Sequence, residues 1–192
     1  MKILAKIIRI LTIPPIMAIW LLTTLFIVKP EFFGGIAFYF LAVFFVAILP
    51  ILAYPLQPIT PVFKHKGREG QRTLAMIFSV VGYLLGCITN LFMNAPATLW
   101  LVYLVYLLSG LGIAIFNKIF HLRASGHACG IMGPVAFLFY CGVGTAFVGI
   151  GIYLAALWAS VKMKRHTFLQ FVGGAVIPVV ALFVVATVFN FM

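Results

Sequence analysis

The sequence predicts an all-α integral membrane protein, a helical bundle of about six to seven transmembrane helices with a polar mouth at one membrane face. Two observations carry this. Of 192 residues, 65% are hydrophobic and only 8% are charged, with a mean hydropathy of +1.25, whereas soluble domains carry about 25% charged residues. The charges also fall in short loops between apolar runs of nearly 20 residues, the length that crosses a bilayer. Residues 1–192 read as a single transmembrane domain.

The runs lie at about 10–28, 33–54, 74–93, 97–117 and 168–190, bounded by charge or by Pro and Gly. The opening "MKILAKIIRILTIPPIMAIW" resembles a secretory signal, but no small-residue cleavage site precedes further spanning material, so it is expected to be retained. "NAPAT", between the third and fourth runs, reads as a tight helical hairpin turn. The stretch 128–160 is harder to place. As one helix it would measure roughly 50 Å against a core of about 30 Å. The glycines of "YCGVGTA", residues 140–146, favour two short helices joined there; one overlong tilted helix is the alternative. Two short helices make seven crossings and bring the N-terminus and the loops 55–73, 117–127 and 159–167 to one face. That face then holds every Lys and Arg except Lys29.

Other features have plain readings. Cys87, Cys129 and Cys141 have no C-x-x-C spacing and read as small buried hydrophobes. The aromatic residues around 32–45 read as lipid-facing or interfacial surface. The glycines of "GGIAFYF" and "VGGAV" read as helix-packing positions.

The charge inventory excludes one class of chemistry. There is no aspartate, and Glu31 and Glu69 are the only acids beside 13 Lys and Arg. Hard cations such as Mg²⁺ need several oxygen ligands, so a prenyltransferase of the aspartate-rich kind is not expected. Cation and imidazole remain, the chemistry of phosphate.

Three basic clusters supply them: "FKHKGREGQRT" (63–73), "KIFHLRASGHACG" (118–130) and "SVKMKRHTFLQ" (160–170). Each alone would serve as a positive loop anchoring the topology. However, His127 and His166 both stand at the mouth of an apolar helix. Gly126 permits close backbone approach, and Ser125 can offer a hydroxyl or an amide to an oxyanion. Gln170, one helical turn after His166, is within reach of its ring. His121 reads as lining its loop, and Glu69 as an internal counter-ion among the cations.

"ASGH" at 124–127 resembles the P-S-G-H motif of the type 2 phosphatidic acid phosphatase superfamily, and "RHTFLQFVGGA" at 165–175 resembles that family's third motif, a histidine opening the last helix. "KHKGREGQRT" is loosely similar to its first motif, K-x6-R-P. The three stand in the family's order within about residues 60–180, the phosphatase-like core. The resemblance implies an integral-membrane lipid phosphatase that removes phosphate from a lipid phosphate or prenyl diphosphate without a metal or cofactor. It implies that His166 attacks phosphorus to form a phosphohistidine, and that His127 protonates the leaving oxygen and then activates water. Arg72, Arg123, Ser125 and Gly126 would clamp the phosphoryl oxygens, with Arg165, Lys64 and Lys66 as further members.

The chain departs from the family at four positions. His65, flanked by Lys64 and Lys66, stands where the first motif has lysine, and Thr73 stands where it has proline. Ser160 occupies the place of an arginine six residues before the histidine. Gln170 replaces an aspartate; an amide can hold the imidazole tautomer but cannot stabilise the imidazolium by charge. A second function class follows, a non-catalytic membrane protein binding anionic lipid head groups on the same frame. A transporter ranks third, because no inverted repeat or mid-membrane polar site is visible. The expected partners are the bilayer and a membrane lipid, with no nucleic acid and no metal. The expected location is the cell membrane. Lys2, Lys6 and Arg9, read as independent of the site, place the cluster face in the cytoplasm.

Overall fold

The computed structural model describes residues 1–189, and every regular element among them is helical. α1 (Lys2–Leu11) is an amphipathic helix whose Ile3, Leu4 and Ile7 are exposed beside Lys2 and Lys6, the composition of a helix lying in the membrane interface. It meets α2 (Pro14–Val28) at a bend of 50°. Pro14 and Pro15 cause the break, because proline suits a helix's first turn and forces the residue before it out of helical geometry; Ile13 is extended. The apolar run expected at 10–28 is therefore α2 with the end of a separate helix before it.

α3 (Ile36–Val43) passes through a π turn at Phe44–Ile48 into α4 (Leu49–Leu56). α5 (Gly67–Met93) and α6 (Ala97–Lys118) form a hairpin that closes at Asn94 in the left-handed conformation, the expected turn. α7 (Gly126–Tyr140) and α8 (Ala146–Lys162) are the two short helices favoured for 128–160, separated where Gly142 takes φ +68. α9 (Phe168–Val188) is the last helix among the described residues. Among the described residues four helical segments are long and apolar enough to span a membrane, Ile36–Ile59, α5, α6 and α9, and the bent α1–α2 pair, taken as one span, makes a fifth. α7 and α8, at 15 and 17 residues, are shorter.

α9 packs most extensively on α7, and also on α6; α7 in turn packs on α2 and α8, and α1 on α8. One core, including Leu21, Phe33, Tyr103 and Phe137, ties α2, α6 and α7 to the segment before α3. A second, built on Met17, Ile131, Tyr153 and Phe171, fixes α7 against α9. The aromatic stretch 32–45 divides between the two environments. Phe40 and Phe44 are exposed, but Phe32, Phe33 and Phe45 are core, Phe32 and Phe33 in an edge-on cluster with Phe26 and Tyr39 and Phe45 against Tyr103, which corrects the reading of the whole stretch as surface.

Gly174 explains how α7 and α9 meet at their N-terminal ends. A Cβ there would strike the main chain of Ser125, whereas one at Gly173 would meet nothing within 4 Å. Gly174→Ala is expected to destabilise by about 1–3 kcal/mol through overpacking, seen as a lower thermal midpoint in detergent. Gly173→Ala serves as the silent control.

Candidate functional site: a basic mouth on an apolar cavity

A cavity of about 1020 Å³ runs between α2, α4, α5, α6, α7 and α9. Its walls change character with depth. At one end stand Arg9, Arg72, Arg123, Arg165, His127 and His166; further in are Val80, Val105, Tyr106 and Pro178. A cavity of this size with polar groups at one end suits an amphipathic ligand.

Helix ends put the polar groups there. α7 starts at Gly126 behind the N-cap Ser125, whose Oγ accepts the Ala128 N–H at 3.2 Å. α9 starts behind Thr167 in a capping box: Thr167 Oγ1 accepts the Gln170 N–H at 3.2 Å, and Gln170 Oε1 accepts the Thr167 N–H at 3.1 Å. The two starts are joined directly, Ser125 N donating to the Gln170 carbonyl at 3.0 Å. Helix N-termini carry partial positive charge and unpaired amides, which makes them anion sites. The N–H groups of Gly126 and His127, the first two in α7, have no acceptor within the helix by position.

α1 and its C-cap add two residues, Arg9, which the sequence reading placed outside the site, and Thr12, which it did not single out. Arg9 Nη1 donates to Ser160 Oγ at 2.5 Å, and Arg9 lies within electrostatic reach of Arg165 and Arg72. Arg9 is thus part of the mouth and not independent of it. Its guanidinium also sits on the residue that stands where the resemblance expected an arginine. Thr12, 7% exposed, donates its hydroxyl proton to the Ile8 carbonyl at 2.8 Å and lies 3.0 Å from His127 Nε2. With that proton engaged, Thr12 Oγ1 accepts, so His127 carries its proton on Nε2 and its free lone pair on Nδ1. No motif pointed to Thr12. The only clue in the sequence was the proline pair after it, which forces the chain to turn.

The structure brings together His127, His166, Gln170, Arg72, Arg123, Gly126 and Arg165 around the cavity. Three expected members stand elsewhere. Lys64 and Lys66 are exposed in the loop before α5, Lys66 with its ammonium over the Phe63 ring at 5.5 Å, and neither forms a wall. Ser125 is fully buried, its amide given to Gln170 and its Oγ to the cap, so it shapes the site from behind. Glu69 lies at the mouth, while His65 and His121 do not line it.

Gln170 also differs from expectation. Its Oε1 is committed to the Thr167 amide, and Nδ1 of His166 is buried without a hydrogen-bond partner. Burial, then Arg72 and Arg9, hold the His166 pKa below its ordinary 6.5; the nearby Gln170 amide and Arg123 main chain only partly oppose this. The ring is therefore neutral at pH 7, with a lone pair that is lost by protonation only below 6.5. Arg72→Gln removes the larger of the two opposing charges and is expected to raise the titration midpoint, measured on the ring resonances of 15N-histidine-labelled protein.

No protein-family model matches the chain, and no curated protein or solved structure is significantly similar to it. The functional reading rests on the site itself.

Proposed function

We propose that the protein is an integral-membrane lipid phosphatase, a divergent member of the type 2 phosphatidic acid phosphatase superfamily, cleaving a lipid phosphate or prenyl diphosphate by a metal-independent phosphohistidine mechanism. The observation that supports it is the meeting of two histidines and five arginines, Arg68 among them, at the polar end of a cavity that is apolar further in. Arginines suit a phosphoryl group because their planar forks match its oxygens. A simple head-group binder has no need of two imidazoles among them.

In this reading the lipid tail occupies the apolar depth and the phosphate rests on the Gly126 and His127 amides, held by Arg9, Arg72, Arg123 and Arg165. His166, neutral at pH 7, attacks phosphorus with a ring lone pair while the bond from phosphorus to the lipid oxygen breaks. His127, which takes a second proton on Nδ1 from the monoanionic lipid phosphate as it binds, gives that proton to the leaving oxygen and keeps the one on Nε2 that faces Thr12. Water then attacks the phosphohistidine, His127 takes the water's proton, and phosphate leaves with His166 restored. The arginines and helix N-termini act where charge collects on the equatorial oxygens. Two glutamates and no aspartate in the whole chain suit a mechanism that holds no Mg²⁺.

The topology proposed with this function counts α7 and α8 as two short crossings in a bundle of seven, the mouth facing the cytoplasm of the cell membrane. Lys2 and Lys6 support that side; Arg9, engaged in the mouth, no longer counts.

The capping role of Gln170 favours the second reading, a head-group binder on the same frame, because it leaves no carboxylate or free amide oxygen behind His166. Phosphate release separates the two. Purified protein in EDTA is expected to release phosphate from at least one of phosphatidate, phosphatidylglycerophosphate or a prenyl diphosphate. Binding of these lipids without release from any of them would establish the binder instead.

A further inference from the structure

Five side-chain atoms among the described residues are buried without a hydrogen-bond partner, and four of them belong to walls of this one cavity: His166 Nδ1, Asn117 Oδ1, Ser109 Oγ and Tyr106 Oη. The last three are on α6, spaced so that they share one face. Buried polar groups are nearly always paired, so a stripe of unpaired ones along a cavity marks where a ligand's own polar groups lie.

Their depth indicates which groups. Gly126, at the start of α7, is level with Ile113 of α6, whose Cγ2 would lie 3.8 Å from a Cβ at that glycine. Ser109 is four residues further into the membrane along α6, about 6 Å, and Tyr106 seven residues, about 10 Å, at 1.5 Å per residue. Ser109 is 6% exposed. The Tyr106 ring stands against Tyr83 with centroids 5.5 Å apart, and Tyr83 lines the same cavity. A phosphate on the α7 N-terminus therefore has two hydroxyl donors about one to two helical turns below it.

We infer that Ser109 and Tyr106 form a subsite for the ester carbonyls of the lipid, and that the substrate is an acylated glycerol phosphate and not a prenyl phosphate. This rests on the phosphatase reading of the mouth. An acylated glycerol carries carbonyl acceptors a few bonds beyond the phosphate oxygen. A prenyl tail is hydrocarbon from its first carbon and offers neither hydroxyl an acceptor. Sites built to hydrogen-bond a ligand discriminate strongly against analogues lacking the partner, because the protein's own groups are then stranded.

The test uses the full chain in nanodiscs, with diacylglycerol phosphate, its dialkyl ether analogue and a prenyl monophosphate of matched carbon number. Turnover is measured together with binding by competition. Wild type is expected to favour the diacyl lipid over both others by about tenfold or more in kcat/KM. Ser109→Ala with Tyr106→Phe is expected to remove about that factor for the diacyl lipid while leaving the prenyl phosphate unchanged. Both substitutions delete groups that no protein atom pairs, so the thermal midpoint should hold or rise. Equal use of the three lipids by wild type, or an equal loss on all three in the double variant, overturns the subsite while the phosphatase stands. If no lipid is hydrolysed, the phosphatase reading falls and binding decides the subsite: a diacyl preference that the double variant loses supports it, and indifference overturns it.

Discussion

His166→Ala is expected to abolish phosphate release and with it any phosphoenzyme, a loss of at least about 10³-fold, since no other group near the mouth replaces a nucleophile. His127→Ala should behave differently, and the difference is diagnostic. Its role as acid matters only when the leaving oxygen is a poor leaving group. With a lipid phosphate the variant should lose about 10²- to 10⁴-fold, the usual contribution of general acid–base catalysis. With an aryl phosphate the first step needs no proton, but activation of water still fails, so an acid-labile phosphohistidine should accumulate. Quenched samples analysed by mass spectrometry would show it on His166. Accumulation on another residue, or identical behaviour of the two variants, would exclude these assignments.

Arg9→Ala is expected to lower kcat/KM by about 10- to 100-fold, the value of one or two charge-assisted hydrogen bonds at about 1.4 kcal/mol per factor of ten. Arg9→Lys should restore little, because an ammonium cannot present a planar fork. The hydrogen bond from Arg9 to Ser160 suggests a sharper experiment. Ser160→Arg in the Arg9→Ala background puts a guanidinium back into the space Arg9 vacates, from the other side of the contact, and should recover part of the activity. Ser160→Arg with Arg9 retained should itself lower activity, because Ser160 is fully buried and two like charges would meet there. A purely structural Arg9 would show the reverse: a lower thermal midpoint, unchanged kcat/KM and no rescue.

Much of the architecture was legible in the chain because the bilayer imposes a simple rule, that apolar stretches of adequate length become helices with every backbone group satisfied internally. Glycine in "YCGVGTA" marked the break between α7 and α8 for a local reason, the positive φ at Gly142. The two histidines and Arg72, Arg123 and Arg165 were legible because each lies in a short polar segment between apolar runs, where charge stands out. Arg9 was visible too, but its meaning was not: a cation near an N-terminus has the same appearance whether it anchors topology or enters a site. Only the 50° bend between α1 and α2 carries it over the mouth. Lys64 and Lys66 erred in the opposite sense. They sit beside a motif-like spacing, yet α5 begins at Gly67 and leaves them in the loop before it.

The sequence by itself determined that this is a helical membrane protein, where most of its chain turns lie, and which cations and imidazoles stand between the apolar runs, because composition and run length act locally. Tertiary structure alone decided which of those groups meet. Thr12 comes to His127 across 115 positions and Arg9 to Ser160 across 151. The unpaired hydroxyls of Ser109 and Tyr106 stand below them because α6 packs with that face toward α9 and the cavity. Contacts of this range depend on how several helices pack at once, and no periodicity in a single helix records them.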